Sequence, residues 1–298
     1  MTERSYEQLS GRGVLAVAGA DRKTFLQGLI SNDIERVGAD RVIWAALLTP
    51  QGKYLHDFFI FELDSTLHLD CESDRLVDLG KRLHRYKLRA DVDLGIGEDY
   101  GVFSLFGEDA LSVLGLTETP GVARRIGEGI VSVDPRLAQA GARALLPLAK
   151  SRETLEGLGF SAADPNSYDK LRLSLGLSDG SRDLVVEKST LLESNFDELH
   201  GVDWDKGCYM GQELTARTKY RSLVRKRLMP VRIEGPVPEL GTPLMAGDKE
   251  IGEMRSGVGQ RGLALIRLER LAEMDLSKAG LAAGETRVFP EKPKWAEF

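Results

Sequence analysis

An α+β protein made of duplicated units and closed by a small antiparallel β-barrel is what this 298-residue sequence predicts, on three observations. Short apolar runs alternate with stretches of helical periodicity over most of the chain. One phrase occurs twice: residues 13–21 read Gly-Val-Leu-Ala-Val-Ala-Gly-Ala-Asp, and residues 101–109 read Gly-Val-Phe-Ser-Leu-Phe-Gly-Glu-Asp. Beyond Leu228 the texture changes to short β-rich runs between Gly and Pro turns, the pattern of a small barrel or sandwich.

The elements follow in order. Gly13–Val17 reads as a buried strand. Asp21 is placed to cap a helix carrying Phe25, Leu26, Leu29 and Ile30 on one face. Ser31-Asn32-Asp33 supplies turn chemistry that ends it. Residues 42–48 and 55–63 form a hairpin about the turn 50–53, and 67–71 is a further strand. A helix follows with Ser73 as cap and Leu76, Leu79, Leu83 and Tyr86 along one side. The second copy of the phrase opens a second set, with strands at 130–133 and 142–146 and a short helix at 151–158. A helix from Ser167 stops at Gly176, and 177–205 reads as a long surface loop, of the kind that often carries function. Strands at 229–233, 250–255 and 263–268 belong to the barrel. The expected organisation is a first α+β unit over 1–98 with 160–224, a second over 99–159, and the barrel over 225–298.

Composition narrows the function. A net charge of -6 argues against a surface built throughout for nucleic acid. No apolar run approaches the length that spans a membrane. The two cysteines, Cys71 and Cys208, form no disulfide framework and no zinc spacing. Cys71 sits in an apolar strand and reads as core, with a bridge between the two left open. The acidic first residues lack a leader pattern, so the expectation is a cytoplasmic protein in a reducing compartment.

The chemistry concentrates in residues 206–221. Gly207 and Gly211 flank Cys208 and free the backbone around it. A helix from Gln212 would set the thiol just ahead of a positive helix end, and Lys206 adds charge; both favour the thiolate. The ordinary alternative is a small buried side chain. Arg217, Lys219, Arg221, Arg225, Lys226 and Arg227 follow without an acid among them. They suit a small polyanion better than a duplex.

The run Lys206-Gly207-Cys208-Tyr209-Met210-Gly211-Gln212-Glu213, with Arg217 after it, closely resembles the motif of the YgfZ-type folate-binding proteins. These assist iron–sulfur enzymes and are related to the glycine-cleavage aminomethyltransferases. Phe25-Leu26-Gln27-Gly28, Ser31-Asn32-Asp33, Leu48-Thr49-Pro50-Gln51-Gly52-Lys53 and Arg85-Tyr86-Lys87-Leu88-Arg89 look like further family phrases. The resemblance covers about residues 10–228 and implies a three-domain, ring-like, aminomethyltransferase-like arrangement that accepts tetrahydrofolate or a one-carbon derivative. It implies Cys208 as the working thiol and Glu193 as the pterin-binding carboxylate, which can accept two adjacent N–H donors. Asn32, Asp57, Lys206, Gln212, Glu213 and Arg217 are the further candidates for the folate site, and no metal ligand is implied.

One departure matters. Where the aminomethyltransferases would carry paired aspartates, this sequence has His56-Asp57, which favours the YgfZ-type branch. The leading expectation is therefore a folate-dependent accessory factor whose partners are iron–sulfur client or assembly proteins. One-carbon transfer, scavenging of a one-carbon species or a thiol redox step would each fit Cys208. The alternatives are an aminomethyltransferase that depends on Asp57, and a folate-independent RNA- or anion-binding module using the 217–227 run, where Tyr220 is the single stacking residue.

Overall fold

The computed structural model describes residues 4–221, 224–272 and 280–298. They form two compact units: the chain up to Pro50 with Leu55–Pro165 and Leu199–Gln212, and Gln51–Tyr54 with Asn166–Glu198 and Glu213–Phe298. The sequence also places a domain boundary near residues 222–228, of which 222 and 223 lie outside the described residues.

The first unit holds two sheets. Strands β1 (Ser5–Gln8) and β2 (Arg12–Ala18), helix α1 (Arg22–Gln27), strands β3 (Ile43–Leu48), β4 (Tyr54–Leu63) and β5 (Thr66–Glu72) and helix α2 (Leu76–Lys87) come first. Then come β6 (Asp93–Ile96), β7 (Tyr100–Phe106), α3 (Ala110–Val113), β8 (Ala123–Ile126), β9 (Gly129–Val133), β10 (Ala142–Pro147), α4 (Leu148–Gly157) and β11 (Ser161–Ala162). The five-stranded sheet has the order β3-β4-β5-β2-β6, and the six-stranded one β11-β1-β7-β10-β9-β8.

The duplication is therefore real, and it is interlocked. Strand β1 pairs with β7 (Tyr6↔Leu105), while β6, which opens the second repeat, pairs with β2 (Leu15↔Ile96). Each repeat lends its first strand to the other's sheet. Both copies of the repeated phrase leave their strand through a glycine of positive φ, Gly19 at 99° and Gly107 at 115°. At Gly19 a Cβ would stand 2.2 Å from the carbonyl oxygen of Asp91, so the turn tolerates no side chain.

Strands β3 and β4 are buried almost throughout. Both faces of this hairpin are covered, which explains continuous apolar runs in place of alternation. The other sheet builds its core from Phe103, Leu105, Val131, Val133 and Leu146. A polar seam joins the two sheets: the Asp70 carboxylate on β5 pairs with Arg12 at 2.7 Å and with Arg143 of β10. Arg12, Arg136 and Arg143 all lie over the ring of Phe59.

The second unit contains α5 (Ser167–Leu175), most of α6 (Gln212–Tyr220) and a closed barrel. Its strands are β12 (Lys226–Glu234), β13 (Pro243–Ala246), β14 (Lys249–Val258), β15 (Arg261–Arg267), β16 (Leu281–Ala283) and β17 (Thr286–Pro290), in the order β12-β15-β14-β13-β16-β17. Met229, Val231, Ile233, Leu244, Met254 and Ile266 fill its interior. Closure leaves no strand edge. Among the described residues no helix is long and apolar enough to cross a membrane.

Three sequence expectations need correction. Asp21 stands at the N-cap of α1 but its carboxylate makes no cap bond; it instead accepts the Asp91 N–H at 2.8 Å, tying the turn to a distant loop. Ser73 opens a 3-10 turn ahead of α2 and does not cap it, and Tyr86 leaves the buried side of that helix. The stretch 177–205 is no surface loop. Leu177, Leu184, Leu191, Leu192, Phe196 and Leu199 are buried, so their apolar side chains outweigh the polar residues that gave the segment its loop-like composition.

Candidate functional site

The thiol of Cys208 owes its position to a lysine two residues before it. Lys206 sends Nζ back to the end of α1, where it donates to the carbonyl oxygens of Gln27 (2.9 Å), Ile30 (2.8 Å) and Asn32 (2.7 Å). An ammonium has three protons, and all three are committed. The last carbonyls of a helix lack intrahelical partners and sit at its negative end. That makes this turn a natural seat for the cation. Burial pulls the Lys206 amine down to about 8, with Asp33 and Asp203 opposing the shift.

The surrounding chain is stitched to the same turn. Ser31 Oγ donates to Gly201 O at 2.6 Å and accepts the Ala46 N–H. Asn32 Nδ2 donates to Trp44 O and His200 O, both at 2.8 Å, and its Oδ1 accepts the Asp33 N–H. Both polar atoms of this buried amide are thereby engaged in holding segment 200–203. Asp203 Oδ1 then accepts the amides of Asp205 and Lys206, an Asx-type turn that aims the lysine. Met210 N–H donates to Gly28 O at 3.0 Å. Between these anchors Cys208 is exposed, with buried Tyr209 beside it and Lys206 Nζ 5.2 Å from the tyrosine ring.

Lys206 spends its hydrogen bonds on carbonyls. Helix α6 starts only at Gln212, four positions after the cysteine, and the helix-end field fades within about a turn. The side chain of Gln212 accepts the Tyr209 N–H at 3.2 Å, a local tie across the loop. What the fold supplies is exposure on a fixed loop.

Cys71 differs in every respect. It is buried and free, its Sγ donates to Gly13 O at 3.7 Å, and burial pushes its thiol up to about 12. The core reading holds, and no disulfide joins the two cysteines. Among the described residues no cluster of His, Cys, Asp or Glu could hold a metal ion.

The His56-Asp57 pair lies inside β4. Asp57 is buried and accepts the indole N–H of Trp44 at 3.0 Å. His56 stands 2.9 Å from Asp78 of α2, and burial lowers its pKa to about 4, with Arg75 adding to the fall. It is neutral near pH 7.

In the second unit, Glu193 lies on a 3-10 turn, Leu192–Ser194, pinned from both sides. Arg227 donates to Leu192 O at 2.7 Å, and Asn195 Nδ2 donates to Leu228 O at 2.7 Å. Arg227 is fixed in turn by Asp197 at 2.6 and 2.9 Å. The basic run is thus divided, because Arg227 is buried in structure while Arg217 and Lys219 stay exposed on α6. Thr190 donates its hydroxyl to one Glu193 oxygen at 3.0 Å. The carboxylate lines a polar cleft of about 260 Å³ with Asp183, Lys188, Lys226, Glu253 and Arg255. Glu213 and Arg217 belong to this unit, whereas Asn32, Asp57, Lys206, Cys208 and Gln212 belong to the first. Asp203 is the residue that sequence reasoning missed, for which an Asp three places before Lys206 was the available signal; Ser31 and Arg227 were read only as part of a turn and of the basic run.

Residues 225–298 match the CAF17 C-terminal beta-barrel domain family. The chain is 33% identical to the mitochondrial iron-sulfur cluster assembly factor IBA57 of Mus musculus, over 89% of this chain and 78% of that protein. It has the same identity and coverage with the Homo sapiens protein of that name. The glycine cleavage system aminomethyltransferase T from Bartonella henselae has the same fold, with a TM-score of 0.75 over 99% of this chain and 87% of that one, at 16% identity. The relatives are named as mitochondrial, which overturns the cytoplasmic expectation.

Proposed function

We propose that this chain, which belongs to the YgfZ-type IBA57 family of iron–sulfur cluster assembly factors, serves iron–sulfur protein maturation by binding a tetrahydrofolate and presenting the Cys208 thiol to its partners. The observation that carries this reading is the Lys206 clamp, three hydrogen bonds from one ammonium that hold an exposed cysteine on an otherwise fixed loop. A thiol kept merely for packing needs no such support. With one accessible thiol and a buried second cysteine, the chain offers a single soft ligand. Clusters are held by about four, so a cluster in transit would have to be shared with an iron–sulfur partner.

The residues of the second unit fit a folate. Glu193 keeps one oxygen for a pterin N–H, in a cleft that Lys188 and Lys226 also line. A volume of about 260 Å³ is below the roughly 300–1,000 Å³ of sites that enclose a drug-sized ligand, so this cleft suits the ring system alone. Bound folate would supply one-carbon carrier chemistry. The chain's own contribution is to orient the ring through Glu193 and to hold that glutamate through Arg227 and Asn195. The aminomethyltransferase alternative draws little from Asp57, whose carboxylate is buried against Trp44.

The test is a calorimetric titration of tetrahydrofolate against the wild type, Glu193→Gln and Glu193→Ala. Saturable binding that weakens about tenfold or more in both variants supports the reading. Equal affinity in all three, or no binding at millimolar folate, would sink it.

A further inference from the structure

A groove unrelated to Cys208 or Glu193 lies in the first unit, between α2 and the edge strand β6. It encloses about 520 Å³, well within the usual range for recognition sites. Leu15 of β2 lies between walls formed by Leu76, Val77 and Gly80 on the helix and by Leu94 and Ile96 on the strand. The register Leu15↔Ile96 puts these strand residues on one face of the sheet. It is the face that α2 covers, since a Cβ on Gly80 would stand 3.7 Å from Leu15. The helix buries Leu76, Leu79 and Leu83 there but leaves the margin open, with Val77 56% and Ile96 54% exposed. Val77 and Ile96, both exposed, face the same groove from helix and strand, an apolar pairing that scattered single residues would not make.

Charge selects the occupant. Lys81, His84 and Arg85 line the groove and no carboxylate does, on a chain of net charge -6. Asp78 of the same helix is turned to Arg82 at 2.7 Å and to His56. We propose that this groove docks an amphipathic helix of a partner protein, with acidic residues flanking its apolar stripe. A helix is favoured over an added strand because the apolar lining lies on the sheet face beside α2. There a second helix continues the layer at ordinary helix spacing. A strand paired to the outer edge of β6 would leave Val77 uncovered. Val77, Lys81 and His84 recur at i, i+4 and i+7, a ridge of about two turns, roughly 10 Å long. Complementary charge adds steering and register to the apolar contact.

The probe is a fluorescein-labelled designed helix of about 18 residues, leucine on one stripe and glutamate on its flanks, with a lysine-for-glutamate counterpart, read by anisotropy on the whole chain. Saturable binding of the acidic probe is expected, about tenfold or more weaker for the basic one. Ile96→Glu should abolish it and the double variant Lys81→Glu/Arg85→Glu should weaken it about tenfold. These positions are exposed, and unchanged thermal melting of the variants separates lost binding from lost fold. Hydrogen exchange should slow in 76–85 and 93–97 on binding. Equal binding of the two probes, indifference to Ile96→Glu, or no binding at millimolar probe would overturn the proposal. So would attachment to phosphatidylglycerol vesicles in place of the peptide, which would make the groove a lipid site.

Discussion

The ammonium of Lys206 lies 2.7 Å from the main-chain oxygen of Asn32, and through this and two sister bonds the loop bearing Cys208 is fastened to the end of α1. Replacing the lysine by methionine keeps the stem and deletes all three bonds. Charged hydrogen bonds contribute about 1.5–3 kcal/mol each, but burial of the ammonium offsets part of that. A net loss of about 2 kcal/mol is expected for Lys206→Met in urea unfolding, together with faster proteolysis within 200–210. The pH response gives the sign. The folded amine titrates near 8 and an unfolded lysine near 10.4. Between those values the unfolded chain holds the extra proton, so this group's contribution to stability rises with pH across that window. Lys206→Met should lose that rise.

Thiol counting separates the two cysteines. Native protein should react with one equivalent of a disulfide reagent near pH 8, Cys208→Ser with none, and both should gain one equivalent in denaturant. The buried Cys71, pushed up to about 12, has almost no thiolate there. Two fast equivalents from native protein would contradict the assignment.

Acid should find His56. Its folded pKa of about 4 lies below the ordinary 6.5, so the unfolded chain takes up the proton first and stability falls as the pH drops from 6.5 towards 4. The loss is about 3 kcal/mol when complete. Chemical denaturation at pH 7 and pH 4 should show a smaller difference in His56→Asn than in the wild type.

How much of this was legible from residues alone depends on the range of the interaction. The repeated phrase announced two similar units, and the Gly52 turn announced the β3–β4 hairpin, because strand pattern and turn chemistry are local. The exchange of β1 and β6 between sheets was not legible, since each strand alone suits either partner. Asn32 read as turn chemistry, yet its amide joins residues 12 and 168 positions away. The role of Lys206 was hidden for a similar reason: in sequence it reads as a charge beside the thiol, while the fold turns its protons onto carbonyls at the end of α1. The 177–205 segment misled through composition, its polar residues concealing Leu191, Leu192 and Phe196.

The seam between the sheets should be costly to break. Asp70 is fully buried between Arg12 and Arg143, so Asp70→Asn leaves two guanidiniums short of a counter-charge. A loss of about 3–5 kcal/mol is expected, measured as a lower urea midpoint with an unchanged slope. A shift below about 1 kcal/mol would show that the other buried acids carry the seam.

The most direct measurement is the activity of iron–sulfur enzymes in cells lacking this protein and supplied with the wild type, Cys208→Ser or Glu193→Gln, each at matched abundance. Recovery is expected with the wild type and failure with both variants, since one removes the presented thiol and the other the proposed folate carboxylate. Full recovery with Cys208→Ser would contradict it, leaving the Lys206 clamp as a feature of folding and not of function.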